Sequence, residues 1–366
     1  MYQTPKDESS SSSPALLKLT SYINPLDKFS LIGQSEELEK STVKQTPILG
    51  NIALKGQSTV YYAPPNSGKT LIILYEAKES ITNNCIDPSK LYYVNMDDTS
   101  QGLLEKLRIA EEYGFNMLAD GHNGFKASMF IDTIIDMTEN DKCHDVIIIL
   151  DTLKKFVDLM DKTKSSHFTR IIRRFVLKGG SLIALAHTNK KPGSNGKPIY
   201  AGTSDFVDDC DCAYTIATVN NDKECAHKVV EFENIKRRGN NAQNAAYSYT
   251  LESNISYNQL LLSVTAIDPN QLKPLKQAEA IKADAELISI VKTCLLEGIN
   301  TKMRLADAVA LKAGVSKRSA LTVIERYTGE DLAAHQWSFV VSERGAKMFQ
   351  ILQGATENPI FDDPLY

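Results

Sequence analysis

Several features that mark whole classes of proteins are absent from this sequence. Its six cysteines show no disulfide-like spacing, which excludes a disulfide-stabilised secreted domain and favours a reducing compartment. No apolar run approaches membrane-spanning length, and the serine-rich N-terminus has no signal-peptide core. The formal net charge of −4 excludes a global basic field, so any contact with nucleic acid must come from local patches. We therefore expect a soluble cytoplasmic protein that does not bind membranes.

The composition is that of an ordinary globular protein. Charged residues make up 23% and hydrophobic residues 42% of the 366 positions, which is enough chain for more than one domain. We expect a disordered N-terminus and arm at 1–44, an α/β domain at 45–266, a linker at 267–282, a helix-rich domain at 283–352 and an acidic tail at 353–366.

The α/β domain is predicted from β-rich runs that alternate with helical patterns, which is typical of a mostly parallel central sheet. The third and fourth runs are almost continuously apolar, as strands covered on both faces should be. The last two runs are expected as an antiparallel addition at the end of the sheet. The predicted strands are 59–62, 91–95, 146–150, 181–186, 212–219 and 228–235.

The C-terminal domain has the order of a winged helix-turn-helix. Thr301 can cap a helix that ends before Gly314, where glycine favours the left-handed conformation. Ser316 can cap a second helix, and a β-prone run follows at 337–341. Two closely spaced helices followed by a strand pair are typical of that domain.

A glycine-containing loop follows the first predicted strand. Residues 63–70 read Ala-Pro-Pro-Asn-Ser-Gly-Lys-Thr between a β-rich run and an apolar run. This is the context of a phosphate-binding P-loop, in which backbone N–H groups surround a polyphosphate at a helix N-terminus. Ala63 replaces the usual first glycine, so we expect a negative φ there. Lys69 is expected to reach the β- and γ-phosphates of ATP, and Thr70 to coordinate Mg²⁺. The predicted nucleotide-binding residues are Pro65, Asn66, Ser67, Gly68, Lys69 and Thr70.

Carboxylates end two of the other strands. Asp151 follows the apolar third strand, where the Walker B aspartate of a P-loop protein holds Mg²⁺ through water. Thr152 comes next, so the water-activating group must lie elsewhere. Asp97 and Asp98 end the second strand, and the carboxyl ends of parallel strands face the ligand crevice. We expect Asp97 to polarise the attacking water; the alternative is that Asp98 and its neighbours only cap the next helix.

These features together resemble the RecA-like ATPases, and within them the plasmid RepA-type and DnaB-type hexameric helicases. The matching parts are the P-loop, the acids after the second strand, the apolar strand with a lone Asp151, and a strand that ends Ala186-His-Thr-Asn189. The resemblance covers 45–266. It implies a RecA-like fold and a homo-oligomeric ring, expected as a hexamer, with ATP and Mg²⁺ as cofactors.

The resemblance also implies roles for residues on later strands. Residues 235–239, Ile-Lys-Arg-Arg-Gly, are similar to an element that inserts Lys and Arg into the neighbouring subunit's ATP site in DnaB-type helicases. It implies that Lys236 and Arg238 stabilise charge on the leaving phosphate in trans, although here Gly follows Arg238 directly. His187 is expected to sense the γ-phosphate. An ordinary basic hairpin end and a structural histidine are the alternatives.

A loop rich in glycine and lysine follows His187. RecA-like rings place such a loop in the central channel, so the resemblance implies that Lys190, Lys191 and Lys197 contact the backbone of single-stranded DNA. A solvated surface loop is the alternative. The segment 154–170 is expected to supply a second channel loop.

A second DNA contact is predicted in the C-terminal domain. Arg318, Thr322 and Arg326 recur at four-residue spacing and form an outward face that fits a major groove of duplex DNA. The domain is roughly charge-balanced, so binding a protein or closing an oligomer is the alternative. The acidic tail is expected to dock a replication partner or to stay solvated.

The expected function is an ATP-dependent DNA helicase or translocase in replication or recombination of a mobile element. The predicted catalytic residues are Lys69, Asp97, Asp151, Lys236 and Arg238. One alternative is a recombination or annealing ATPase that does not unwind DNA. Another is a winged-helix DNA-binding protein that ATP merely gates.

Overall fold

The computed structural model describes residues 24–189, 200, 204–219, 226–342 and 345–353. The chain divides into two units, Met1–Thr42 and Val43–Tyr366. In the first, a 3-10 turn at Asp27–Phe29 is followed by helix α1 at Ser35–Ser41. Several predictions lie outside the described residues: those on the disordered N-terminus, on Lys190, Lys191 and Lys197, and on the acidic tail.

Helices and strands alternate along most of the second unit. Its helices are α2 (Lys69–Thr82), α3 (Ser100–Tyr113), α4 (Phe130–Glu139), α5 (Lys162–Leu177), α6 (Ser204–Asp209), α7 (Tyr257–Leu262), α8 (Pro269–Ala283), α9 (Ala285–Leu296), α10 (Lys302–Ala313) and α11 (Lys317–Arg326). Its strands are β1 (Pro47–Leu49), β2 (Ala53–Leu54), β3 (Ser58–Ala63), β4 (Leu91–Asn95), β5 (Asn116–Ala119), β6 (Ile147–Asp151), β7 (Ser181–His187), β8 (Cys212–Thr218), β9 (His227–Arg237), β10 (Asn244–Thr250), β11 (Thr265–Ile267), β12 (Trp337–Val341) and β13 (Lys347–Ile351). Short 3-10 turns lie at Pro88–Lys90, Ala127–Met129 and Leu153–Lys155. Among the described residues, no helix is long and apolar enough to cross a membrane.

Nine strands of the described chain form one sheet, in the order β11-β10-β9-β8-β3-β7-β6-β4-β5. The strands from β8 to β5 run parallel, and β9, β10 and β11 extend the sheet in antiparallel fashion. Strand β6 is buried along its whole length, as its apolar sequence predicts for a strand covered on both faces. The predicted α/β class with a mostly parallel central sheet is therefore confirmed. The last two predicted strands, β8 and β9, are antiparallel to each other as expected, but β8 pairs parallel with β3, so the antiparallel addition begins at β9 and not at β8.

Helices cover both faces of this sheet. Helices α2, α3 and α7 pack with Tyr61, Tyr93 and Ile149 on one face, whereas α4, α5 and α6 pack with Tyr62 and Ile148 on the other. Alternate strand residues point to opposite faces, which explains how one strand serves both cores. Strands β3 and β7 are neighbours, yet the helices that follow them lie on opposite faces. A crevice therefore opens at the carboxyl ends of these strands.

Some elements differ from the prediction. Strands β5, β10 and β11 and the hairpin of β1 and β2 were not predicted. Strand β10 has seven residues, but the others are runs of two to four residues, which carry almost no periodic signal. Most of the segment 267–282, expected as a linker, is helix α8. Pro269 begins this helix, where a proline is tolerated, and the Asp268 side chain caps it by accepting from the Asn270 backbone N–H at 2.7 Å.

Helices α9, α10 and α11 pack with the hairpin of β12 and β13 around the buried Trp337. Two predicted features of this region are confirmed: Gly314 ends α10 with φ 66°, and the Ser316 side chain caps α11. The predicted cap by Thr301 is wrong. Thr301 occupies the N-cap position of α10 but makes no capping hydrogen bond, and its backbone is instead bridged to Met348 of β13.

Candidate functional site

A cavity of about 380 Å³ opens at the carboxyl ends of β3, β4, β6 and β7. The predicted site residues Lys69, Thr70, Asp97, Asp151 and His187 all line it. They end or follow four different strands, so the order of the strands in the sheet brings them together. The other lining residues are Pro64, Pro65, Asn66, Ser67, Gly68, Leu71, Asp98, Lys106, Tyr249, Tyr257 and Leu260.

The loop between β3 and α2, residues 63–70, curves around one side of the cavity. Asn66 and Gly68 adopt left-handed φ values of 57° and 80°. A Cβ atom at Gly68 would lie 2.6 Å from the ring of Tyr249, so the φ value and the close approach of that ring both call for glycine. Lys228 donates from Nζ to the carbonyl oxygen of Asn66 at 2.7 Å. Lys228 lies on β9 and Tyr249 on β10, so the antiparallel strands contact the loop from one side.

Asp151 is the centre of the buried part of the site. Its Oδ2 atom accepts hydrogen bonds from Thr70 Oγ1 at 2.8 Å and from the hydroxyl of Tyr93 at 2.6 Å. Lys69 Nζ lies 4.0 Å from Oδ1 of the same carboxylate. Burial lowers the pKa of Lys69, and the charges of Asp151 and Asp97 oppose that shift. A further anion in the cavity would stabilise the charged lysine in the same way.

Asp98 is held by neighbours of its own. It accepts from Asn95 Nδ2 at 2.6 Å and forms an ion pair with Lys106, whose side chain is almost completely buried. Thr99, not Asp98, caps helix α3, with its side-chain oxygen accepting from the Gly102 N–H at 3.3 Å. The expected cap by Asp98 and its neighbours is therefore confirmed for Thr99, whereas the Asp98 carboxylate is bound by Asn95 and Lys106.

Asp97 is the more available of the two acids. It is exposed, and the nearest cation that pairs with it is Lys154, whose Nζ lies 3.9 Å from Oδ2. Lys154 lies directly after strand β6, in the 3-10 turn Leu153–Lys155. The carboxylate of Asp97 thus lines the cavity while it touches a lysine of the adjoining segment.

Buried polar atoms without partners face the same cavity. In the described chain, Ser67 Oγ, Tyr257 Oη and His187 Nδ1 have no hydrogen-bond partner, and all three residues line the cavity. Burial, with the charges of Lys69 and Lys154, lowers the pKa of His187 below its usual 6.5. His187 is therefore neutral near pH 7. Such orphaned polar atoms are expected where a polar ligand binds.

A groove of about 870 Å³ adjoins the cavity, and His187 lines both. The predicted second channel segment, 154–170, forms much of the groove. Its basic side chains in the groove are Lys154, Lys155, Lys164 and His167. Apolar lining comes from Ile131, Phe156, Val157, Leu159, Met160 and Phe168. Basic and apolar side chains are thus mixed along this surface, with Asp158 also present.

Lys236 and Arg238 lie far from the cavity of their own chain. Strand β9 runs antiparallel to β8, so its last residues lie at the amino end of β8, opposite the carboxyl ends that form the cavity. Lys236 Nζ donates to the carbonyl oxygen of Val207 at 2.8 Å and also to the carbonyl oxygen of Asp208. Arg238 Nη1 lies 3.5 Å from Asp211 Oδ1. Neither cation lines the cavity in its own chain.

The predicted outward face of α11 is exposed, as expected for Arg318, Thr322 and Arg326. Arg326 is also engaged within the domain, because its Nη1 lies 2.5 Å from Oδ2 of Asp284. The Thr322 hydroxyl donates to the Arg318 carbonyl oxygen at 2.9 Å. Arg318 is therefore the clearer candidate for an external contact.

Sequence reasoning missed several polar residues of the site. Lys106, Tyr249 and Tyr257 line the cavity, whereas Tyr93 contacts Asp151 and Lys228 contacts the loop from behind. Lys106 carried a usable signal, since it is a lysine on the buried face of helix α3. The others lie on strands or helices whose neighbours in the sheet cannot be read from spacing. No protein-family model matches this chain, and a search among curated proteins gave no match.

Proposed function

We propose that this chain is a RecA-like P-loop ATPase that couples ATP hydrolysis to movement along single-stranded DNA, as one subunit of a ring. One observation carries the proposal: Lys69, Thr70 and Asp151 meet at one cavity, with Asp97 on the neighbouring strand end. A phosphate-binding lysine, a hydroxyl, a strand-end carboxylate and a free acid are the parts that phosphoryl transfer needs.

The residues present fit ATP and Mg²⁺. The Thr70 hydroxyl and the Asp151 carboxylate are oxygen ligands of the kind that Mg²⁺ prefers, and they lie 2.8 Å apart. The first N–H groups of α2 have no partner within the helix and suit a phosphate. The unpartnered Ser67 Oγ and His187 Nδ1 atoms also suit a polar ligand at this place.

Each residue would have a distinct task. Bound Mg²⁺ would neutralise charge on the β- and γ-phosphates. Lys69 would balance the same charge, and Asp97 would accept a proton from the attacking water. Asp98 is less suited to this task, because Lys106 and Asn95 both donate to its Oδ2 atom and hold the carboxylate. The neutral His187 would offer a hydrogen bond at the end of β7.

The adjoining groove supports nucleic acid as the second ligand. Its lysines suit a phosphate backbone, and its apolar side chains suit unstacked bases. The DNA contact of Lys190, Lys191 and Lys197 stays a prediction, because these residues lie outside the described part of the chain. Lys154 pairs with Asp97, and His187 lines both spaces, so a strand in the groove lies next to the residues that would hydrolyse ATP.

The test is ATP hydrolysis with and without single-stranded DNA, with Lys69→Ala as the blank. We expect hydrolysis that rises severalfold with DNA, strand displacement from a partial duplex, and loss of nucleotide binding in Lys69→Ala. DNA-stimulated hydrolysis without strand displacement would instead indicate a recombination or annealing ATPase. Hydrolysis equal to that of Lys69→Ala would overturn the proposal.

A second candidate is an ATP-gated winged-helix DNA-binding protein. The C-terminal packing of α9, α10, α11 and the β12–β13 hairpin favours it, with Arg318 exposed on α11. This candidate predicts slow hydrolysis indifferent to single strands. It also predicts a footprint on a specific duplex that Arg318→Ala weakens, whereas the translocase binds single strands regardless of sequence.

A further inference from the structure

The strand register places Tyr93 directly behind Asp151. Tyr93 on β4 is paired with Ile149 on β6, two residues before Asp151, so the side chains of Tyr93 and Asp151 lie on the same face of the sheet. Two residues along a strand span about 6.6 Å, and a tyrosine side chain reaches about as far. The hydroxyl of Tyr93 therefore meets the carboxylate, at 2.6 Å from Oδ2.

We propose that Tyr93 is a positioning residue for the metal-holding carboxylate of Asp151. This inference rests on the proposed function, because Asp151 holds a metal only if the chain binds Mg²⁺ with a nucleotide. Tyr93 donates to Oδ2 and so leaves Oδ1 directed toward the side of Lys69. The carboxylate is thereby held in one orientation before any ligand binds.

Thr70 and Tyr93 restrain the carboxylate from different sides of the site. The Thr70 hydroxyl donates to the same Oδ2 atom, but it is also the proposed metal ligand, so its position depends on the metal. The Tyr93 hydroxyl is no proposed ligand, so its bond restrains the carboxylate whether or not a metal is bound. Tyr93 is completely buried, and the phenolic hydroxyl is a hydrogen-bond donor at neutral pH.

The chain offers a matched control in Tyr61. This tyrosine lies on β3, on the same face of the sheet, and is also completely buried. Its hydroxyl donates to the carbonyl oxygen of Ile52 at 2.7 Å, away from the cavity. Tyr93→Phe and Tyr61→Phe each remove one buried, hydrogen-bonded hydroxyl and nothing else. Both are expected to lower the Tm of the nucleotide-free chain by similar amounts.

The experiment measures binding of a fluorescent, non-hydrolysable ATP analogue while Mg²⁺ is titrated into EDTA-treated full-length protein. We expect Tyr93→Phe to raise the half-saturating Mg²⁺ concentration about tenfold, because a hydrogen bond to a charged group is lost. Its affinity for the analogue in EDTA should equal that of the wild type. Tyr61→Phe should keep the wild-type Mg²⁺ midpoint despite its lower Tm.

The outcomes separate this inference from the function on which it rests. Wild-type protein that binds the analogue in a Mg²⁺-dependent way, with an unchanged or lower midpoint in Tyr93→Phe, would overturn the role of Tyr93 alone. An equal shift in both variants would assign the effect to general destabilisation and would also overturn it. Wild-type protein without Mg²⁺-dependent binding would overturn the proposed function, and this inference with it.

Discussion

At the scale of single residues, Asp97 and Asp98 are adjacent but have different surroundings. Asp97 is exposed in the cavity beside Lys154, whereas Asp98 is bound by Asn95 and by the buried Lys106. We expect Asp97→Asn to lower kcat by about 10²- to 10⁴-fold, the usual contribution of a general base. Nucleotide binding and Tm should stay near wild type. Steady-state hydrolysis measures kcat, an analogue-binding assay measures nucleotide binding, and thermal unfolding measures the Tm.

Asp98→Asn is the matched comparison and should act on stability. The change leaves the buried ammonium of Lys106 without its anion, so we expect a loss of about 1–3 kcal/mol in the free energy of unfolding. Urea unfolding of the nucleotide-free protein measures it. If Asp98→Asn abolishes turnover at normal stability and Asp97→Asn does not, the general base is Asp98 and not Asp97.

The residues that could be predicted are those whose chemistry is local in sequence. Lys69 and Thr70 follow a recognisable loop, and Asp151 ends an apolar strand. The contacts of Tyr93 with Asp151 and of Tyr249 with the cavity could not be predicted, because they depend on which strands are neighbours. A tyrosine in a buried strand is usually only a core residue, and nothing in the sequence distinguishes Tyr93 from Tyr61.

At the scale of elements, the groove beside the cavity depends on the segment after β6. Lys155 and Lys164 line it, and neither lines the cavity that holds Lys69 and Asp151. If a single strand lies there, Lys155→Gln and Lys164→Gln should each flatten the slope of log binding constant against log salt by about 0.7. Fluorescence anisotropy with labelled oligonucleotides at several salt concentrations checks this.

Lys178→Gln is the control for that series. Lys178 follows the same helix, α5, but is paired with Asp141 and does not line the groove. The Lys178→Gln variant loses the same charge as the other two variants, and it should leave the slope of log binding constant against log salt unchanged. An equal decrease in all three variants would show that net charge, and not the groove, sets the affinity for DNA.

Elements were predictable where the pattern was long. The apolar runs of β6 and β7 were found within one residue of their bounds, and the start of α11 was found at its cap, Ser316. Helix α8 was missed because Pro269 and Pro274 dominate its first half, although Pro269 occupies a first-turn position that tolerates proline. Strand β5 was missed because its four residues are half-exposed and lie at the sheet edge.

At the scale of the whole molecule, the chain holds a complete cavity and a pair of cations that cannot reach it. Lys236 and Arg238 lie at the opposite end of the sheet, where Lys236 bonds to carbonyl oxygens of α6 and Arg238 lies near Asp211. If these cations act in catalysis, they must act on a second copy of the chain. The double variant Lys236→Ala/Arg238→Ala should then bind ATP but lose about 10³-fold or more in kcat.

Mixing two inactive variants tests whether that action is in trans. Lys69→Ala lacks a working cavity but keeps both cations, whereas Lys236→Ala/Arg238→Ala keeps its cavity but lacks them. Where the two alternate in a ring, each intact cavity faces an intact pair of cations, so the mixture should hydrolyse ATP while each variant alone does not. Recovery should peak near equal proportions. A mixture that remains inactive, although mixed oligomers form, would mean that the cations do not serve a neighbouring cavity. In that case their contacts with α6 and Asp211 would be purely structural, and the loss of activity in the double variant should be matched by a fall in Tm.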